Sequence, residues 1–254
     1  MTSLVIIPAR MAATRLPNKP LADIAGLPMI VRVLKQAQKA HDVRVLVAAG
    51  DQPIVDAVVA HGGEAVLTDP ALPSGSDRIM AALKAVDPQG GHEIVINLQG
   101  DMPFVDPEVI SRTVALLRDQ PKADIATLVA PEQSPADRGN KDVVKAVLTN
   151  NPALKEHSVS ANKYAKALYF TRSTLFGDAP IWRHIGIYGY RRAALEAFTA
   201  APPSRLETLE KLEQLRALEM DMNIYALVVE DAPLSVDNPA DLDAAITYAQ
   251  TNGL

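Results

Sequence analysis

The chain has 254 residues, 48% of them hydrophobic, enough to bury a large core without cross-links. It contains no cysteine, which excludes thiolate catalysis, zinc–cysteine sites and disulfides, and fits a reducing cytoplasm. The net charge of −5 reads against a nucleic-acid surface. No apolar run approaches the roughly 20 residues of a membrane helix, and Met1–Arg10 lacks the order of a signal peptide. The expectation is a cytoplasmic protein with neither a membrane nor a nucleic acid as partner.

In chain order, Ser3–Pro8, Val43–Ala49, Glu64–Leu67 and Glu93–Leu98 are short, Val- and Ile-rich runs that predict strands. Between them, Pro28–Ala40, Gln52–His61 and Asp77–Val86 carry apolar residues at three- and four-residue spacing, as helices do. This alternation predicts an α/β fold with a mostly parallel sheet and helices on both faces. Asp124–Ala130, Val143–Leu148, Ala165–Thr171 and Ile185–Tyr190 predict further strands. Leu206–Met220 and Ala240–Gln250 predict helices, and Pro131–Lys141 a polar loop. The reading is one domain, residues 1–130 and 221–254 forming the core and 131–220 an inserted, strand-rich region.

Three segments carry chemistry. Between Met1 and Ala22 the only charged side chains are Arg10, Arg15 and Lys19, in the loop that follows the first strand. Such a loop suits a phosphate-bearing ligand, although an ordinary solvated basic loop has the same composition. Asp101, in Gln99-Gly100-Asp101-Met102-Pro103, follows an apolar strand at the mouth of the sheet, where a carboxylate can hold Mg²⁺ or cap a turn. Asp237, in Val236-Asp237-Asn238-Pro239-Ala240-Asp241-Leu242, is either a second metal ligand or part of a helix start; spacing alone favours the cap.

Taken together, the segments resemble one family. PARxxATRLPNKPL from Pro8, SGSDRI from Ser74, QGDMP from Gln99, ALYFTR from Ala167, RHIGIYGY from Arg183, LEKLEQLR from Leu209 and VDNPADL from Val236 occur in this order. They look like the 3-deoxy-manno-octulosonate cytidylyltransferases. The first loop is shared with other sugar-nucleotide transferases; RHIGIYGY followed by LEQLR is more specific.

The resemblance implies a Rossmann-like nucleotidyltransferase sheet of the glycosyltransferase-A type, with an inserted substrate and dimer region. It implies Mg²⁺-dependent transfer of CMP from CTP to the anomeric hydroxyl of an eight-carbon sugar acid, with pyrophosphate released, serving lipopolysaccharide biosynthesis, and a homodimer. Pro8, Ala9, Arg10, Ser74, Gly75 and Arg78 would line the cytidine pocket, Arg15 and Lys19 would grip the triphosphate, and Asp101 and Asp237 would hold the metal. Gln99, Arg172, His184, Tyr188, Glu213 and Gln214 match sugar-binding positions. Arg172 suits a carboxylate because its guanidinium is planar and bidentate.

Three departures bear on the sugar: TDPALP before Ser74, where the family commonly has a histidine, Met102 where Glu is common, and a short connection Ser173–Trp182 containing Asp178. The first two are expected at the pocket rim. A cytidylyltransferase for the 8-amino analogue or a nonulosonic acid is the alternative reading.

Overall fold

The computed structural model describes residues 2–12, 15–132, 134–149, 163–173 and 181–254, which divide into two compact units. The connection Ser173–Trp182, with Asp178, falls largely outside the described residues.

The first unit comprises Met1–Ser111 and Pro233–Leu254. It contains β1 (Thr2–Ala9), the short hairpin strands β2 (Asp23–Ile24) and β3 (Leu27–Pro28), α1 (Met29–Ala37), β4 (Val43–Ala49), α2 (Gln52–Ala60), β5 (Ala65–Leu67), α3 (Gly75–Val86) and β6 (His92–Asn97). The division falls inside α4 (Pro107–Asp119). The sheet order is β5-β4-β1-β6, every pair parallel, as the β-α-β alternation predicts. Leu4, Val5, Ile6 and Ile7 of β1 are all 0% exposed, because a central parallel strand is covered on both faces and its sequence is a continuous apolar run.

The second unit, Arg112–Ala232, contains β7 (Ile125–Pro131), α5 (Ala136–Gly139), β8 (Lys145–Leu148), β9 (Tyr164–Thr171), β10 (Trp182–Arg191), α6 (Arg192–Ala200), α7 (Arg205–Glu210), α8 (Gln214–Glu219) and β11 (Ile224–Val228). The order β10-β7-β11-β9-β8 is antiparallel apart from β7–β11. A short β10–β8 pairing joins its two ends, so the strands run round a closed path. The strand-rich region thus begins and ends outside the 131–220 read from sequence, since β7 and β11 belong to it. The chain then returns to the first unit for α9 (Pro239–Thr251).

The structure differs from the sequence reading in four places. Leu206–Met220 is two helices, not one: Lys211 adopts the left-handed conformation, φ 55°, and ends α7 although the apolar period runs through it. The stretch Pro131–Lys141 holds the short helix α5. Helices α4 and α6 escape the sequence reading; α6 starts directly after β10, with no turn residue to mark it.

Candidate active site

In the first unit the loop after β1 is held by its apolar and turn residues. Leu16 is 9% exposed and packs in a cluster with Ile24, Met29, Val236, Ala245 and Ala249. Asn18 takes the left-handed conformation, φ 56°, which Asn tolerates better than most residues, and starts the turn over Lys19–Leu21. The Met11 amide donates to Asp51 Oδ2 at 2.7 Å, fixing the chain as it leaves β1.

This anchoring delivers Lys19 to the two carboxylates singled out above. Its ammonium donates to Asp101 Oδ2 at 2.8 Å and to Asp237 Oδ1 at 3.0 Å. Arg15 Nη2 donates to the same Asp237 oxygen at 3.2 Å. The side chains of Lys19 and Asp101 are 16% and 22% exposed, so that pair is the tight one; Arg15 at 67% is largely in solvent, where an ion pair contributes little. Burial pulls the Lys19 ammonium down, but the two carboxylates outweigh it and hold its pKa above the usual lysine value. Burial pushes the Asp101 carboxyl up; Lys19 only partly offsets this, and Asp237 adds to the rise. Both directions follow from two carboxylates sharing one half-buried ammonium.

Asp237 itself caps nothing. The N-cap of α9 is Asn238, whose side chain accepts from Asp241 N at 3.1 Å while Asp241 Oδ2 accepts from Asn238 N at 3.1 Å, with Pro239 in the first turn. The cap that spacing favoured for Asp237 falls on its neighbour Asn238, and the Asp237 carboxylate faces Lys19 and Arg15 instead. Gly100 is tightly enclosed beside them: a Cβ there would lie 3.0 Å from the Pro8 carbonyl oxygen and press on that backbone.

Pro8, Ala9, Arg10, Ser74, Gly75, Arg78 and Gln99 line one cavity of about 190 Å³, together with Leu72 and Pro73. The six expected nucleotide residues from Pro8–Arg10 and Ser74–Arg78 therefore share a wall, and Gln99, expected on the sugar side, shares it too. Ser74 begins α3 by accepting from Asp77 N at 3.1 Å. Arg78 is 2% exposed, and its guanidinium donates to Thr68 Oγ1 at 2.6 Å and to the Asp69 carbonyl at 3.1 Å. It braces the Thr68–Pro70 turn and presents wall, while Arg10 is exposed and free to reach a ligand. Burial lowers the Arg78 pKa, with Arg10 adding to the fall. A Cβ at Gly50 would stand 2.8 Å from Arg78 Nη1, so a larger residue there would displace the guanidinium from this arrangement. Leu72 and Pro73 put the departure TDPALP on the rim as expected. Met102 is not there: it is 7% exposed, buried in the interior and outside the cavity wall.

The remaining sugar candidates lie in the second unit. His184 and Tyr188 flank a bulge in β10 and share a face, their rings 5.5 Å apart. Burial pulls the His184 imidazole down to about 3, so it is neutral. Thr127 Oγ1 has one hydrogen for the Ile187 carbonyl at 3.0 Å, which leaves its lone pair to accept from His184 Nε2–H at 3.0 Å. His184 Nδ1 is then an acceptor. Burial pushes the Tyr188 phenol well above its usual range, and Tyr190 and Glu213 add to this.

Gln214 is 6% exposed, not on a solvated helix face, and its buried Nε2 has no hydrogen-bond partner among the described residues. Arg172 donates to the carbonyls of Lys141 at 2.9 Å and Glu210 at 3.3 Å. Arg216, unremarked in the sequence beyond its place in LEQLR, grips Glu207 at 2.6 Å and 2.8 Å and lies 4.6 Å from the Phe198 ring centre, locking α7 to α8.

The cytidylyltransferase family model matches residues 4–224. The chain is 54% identical to the 3-deoxy-manno-octulosonate cytidylyltransferase of Parvibaculum lavamentivorans, over 95% of this chain and 90% of that protein. It is 50% identical to the enzyme of the same name from Methylorubrum extorquens (strain PA1), over 96% and 95%. A solved structure of CMP:2-keto-3-deoxy-manno-octonic acid synthetase complexed with CTP superposes with a TM-score of 0.89 at 34% identity, covering 99% of this chain and all of that one. The chain belongs to the 3-deoxy-manno-octulosonate cytidylyltransferase family.

Proposed function

We propose that the chain transfers CMP from CTP to the anomeric hydroxyl of 3-deoxy-manno-octulosonate and releases pyrophosphate. The observation that carries this reading is the meeting of Lys19 and Asp237 at Asp101, which stands two residues along the chain from Gln99 in the wall of the cavity shared by Pro8–Arg10 and Ser74–Arg78. A cavity walled by Pro8, Ala9, Ser74 and Gly75, with Arg10, Arg78 and Gln99 offering polar groups, suits a pyrimidine nucleotide. The adjacent cations answer the charge of a triphosphate.

Two anions must approach, so the work of the site is positioning and charge neutralisation. Arg15 and Lys19 would turn from the carboxylates to the phosphate oxygens and stabilise the leaving pyrophosphate. Asp101 and Asp237 would hold Mg²⁺. The donor set fits: Asp101 Oδ1 is buried with no hydrogen-bond partner among the described residues, and Asp237 is 42% exposed beside it. No cluster of three or more metal-binding side chains occurs among the described residues, so water and phosphate oxygens would complete the shell, as Mg²⁺ prefers. Held by Asp101 and Asp237, Mg²⁺ would supply Lewis-acid stabilisation of phosphate charge. Arg172 would pair with the sugar carboxylate, and His184, Tyr188, Glu213 and Gln214 with its hydroxyls.

Among the described residues no helix is long and apolar enough to cross a membrane. A cytoplasmic location and a homodimer formed through the second unit complete the proposal; sedimentation at two concentrations tests the dimer. The activity is tested by screening four nucleoside triphosphates against several 3-deoxy-2-ulosonic acids for pyrophosphate release, with and without EDTA. Release confined to CTP with 3-deoxy-manno-octulosonate, abolished by EDTA and restored by Mg²⁺, is expected. Release with another nucleotide, or undiminished by EDTA, overturns the nucleotide or the metal assignment.

A further inference from the structure

Lys145, on β8, is 2% exposed, among the largest fully buried side chains of the protein. Its ammonium donates to two backbone carbonyls, Asn140 at 2.6 Å and Arg172 at 3.1 Å. Among the described residues no carboxylate stands within ion-pair distance of it. Burial lowers its pKa, and although Asp137 draws it up, Arg172 adds to the fall. A buried ammonium without a paired carboxylate is costly, and an apolar side chain of similar volume would serve folding as well or better.

The position of Lys145 in the strands gives the reason for keeping it. It pairs in register with Thr171 of β9 and with Arg183 of β10, at the seam where the strand path of the second unit closes. Those two residues immediately precede Arg172 and His184. The amide of His184 itself donates to the Val144 carbonyl at 2.8 Å. Lys145 ties residue 140 to residue 172, and the Arg172 guanidinium ties back to the carbonyls of Lys141 and Glu210. The two cations cross-brace the same segments, and both raise the local positive potential.

We propose that Lys145 is a positioning residue for the sugar acid: it fixes the Arg172 backbone and adds positive field for the incoming carboxylate. This rests on the reading that Arg172 binds that carboxylate. It goes beyond it by assigning a task to a buried cation outside the contacts expected with substrate.

Steady-state kinetics and thermal melts of Lys145→Met, Arg172→Ala and the double variant test it. In Lys145→Met the KM for the sugar acid should rise about tenfold or more with the KM for CTP unchanged, the mark of lost sugar-side binding. Its Tm should equal or exceed that of the parent, because a buried charge is gone. The double variant should be no worse than Arg172→Ala alone, since the two act through one contact. An unchanged sugar KM in Lys145→Met, with a raised one in Arg172→Ala, overturns the inference and leaves the Arg172 reading standing. An unchanged sugar KM in Arg172→Ala overturns both. Additive losses, or a lowered Tm with normal sugar KM, overturn it in favour of a separate or purely structural role. Should Lys145→Met not fold, Lys145→Gln keeps a donor without the charge, and the same sugar-KM outcomes apply to it.

Discussion

The amide of Val236 donates to the carbonyl of Asp101 at 2.9 Å. This one bond joins the QGD turn to the segment entering α9, and Val236, 0% exposed, buries its side chain in the cluster that also holds Leu16. Three segments far apart in sequence are thereby fixed to one another, and Asp237 has no choice but to stand beside Asp101 and Lys19.

A clean separation of roles follows for neighbours. Asn238→Ala removes the cap of α9 and should cost about 1 kcal/mol of stability. Asp237→Asn leaves the capping box intact and should hardly move the Tm, yet should raise the reaction barrier by several kcal/mol, the order of a metal's Lewis-acid contribution. Melting curves and pyrophosphate release on the two variants give the comparison; near-normal turnover by Asp237→Asn would remove it from the metal site.

Among the described residues Lys19 is the only ammonium paired with the half-buried Asp101. In Lys19→Ala that carboxylate loses its counter-charge, at a cost of about 1–3 kcal/mol of stability, as for a buried polar group left unsatisfied. Because the folded-state pKa of Asp101 then rises further, the deficit should shrink as pH falls and the carboxyl protonates. Adding Asp101→Asn should restore the Tm at neutral pH while turnover stays lost. Urea midpoints at two pH values check the first two statements. A double variant no more stable than Lys19→Ala would show that the pair is not coupled.

Much of this was legible in the sequence, and the reasons for the rest are physical. A strand such as Leu4–Ile7 announces itself as an unbroken apolar run, because it is covered on both faces, and a helix such as α9 by its cap and its apolar spacing. The loop residues Arg15 and Lys19 stood out by charge in an acidic chain. Lys211, which breaks Leu206–Met220, gave no signal, since a left-handed lysine is chosen by tertiary packing and not by propensity. Arg78, Arg216 and Lys145 are cations that look solvated in a string and prove buried, because their carbonyl and carboxylate partners come from other elements. The choice between Asp237 and Asn238 as cap required the direction of a side chain, which spacing does not carry.

His184 carries a pH consequence. Its folded-state pKa of about 3 lies below the usual imidazole value, so between these limits the unfolded chain binds more protons than the folded one. Stability should therefore fall as pH drops from about 6.5 towards 3, and rise in the other direction. His184→Gln keeps a donor for Thr127 without a titrating group, and its acid limb should be shallower. Urea midpoints of both proteins between pH 4 and 8 measure this; identical slopes would show that His184 titrates normally. The same neutrality predicts no inflection from His184 in the sugar KM near pH 6.5.

Gln214 is the residue whose burial is hardest to explain by folding. Its Nε2 carries two hydrogens into the interior of the second unit and donates neither among the described residues. A buried unsatisfied donor costs about 1–3 kcal/mol, which an isosteric apolar side chain would avoid. If a sugar oxygen supplies the missing acceptor, the cost is recovered on binding. Gln214→Leu should accordingly melt at or above the temperature of the parent and yet lose sugar kcat/KM, with the CTP KM unaffected. Selectivity should suffer too. A site built to hydrogen-bond a hydroxyl rejects analogues lacking it by about 10⁴-fold, because its own groups are left unpaired. Gln214→Leu, with nothing left to satisfy, should narrow the margin between 3-deoxy-manno-octulosonate and an analogue deleted at the matching hydroxyl. Kinetics on the two sugars with parent and variant decide it: a variant that melts lower and keeps its sugar selectivity would make Gln214 a structural amide and move the sugar elsewhere.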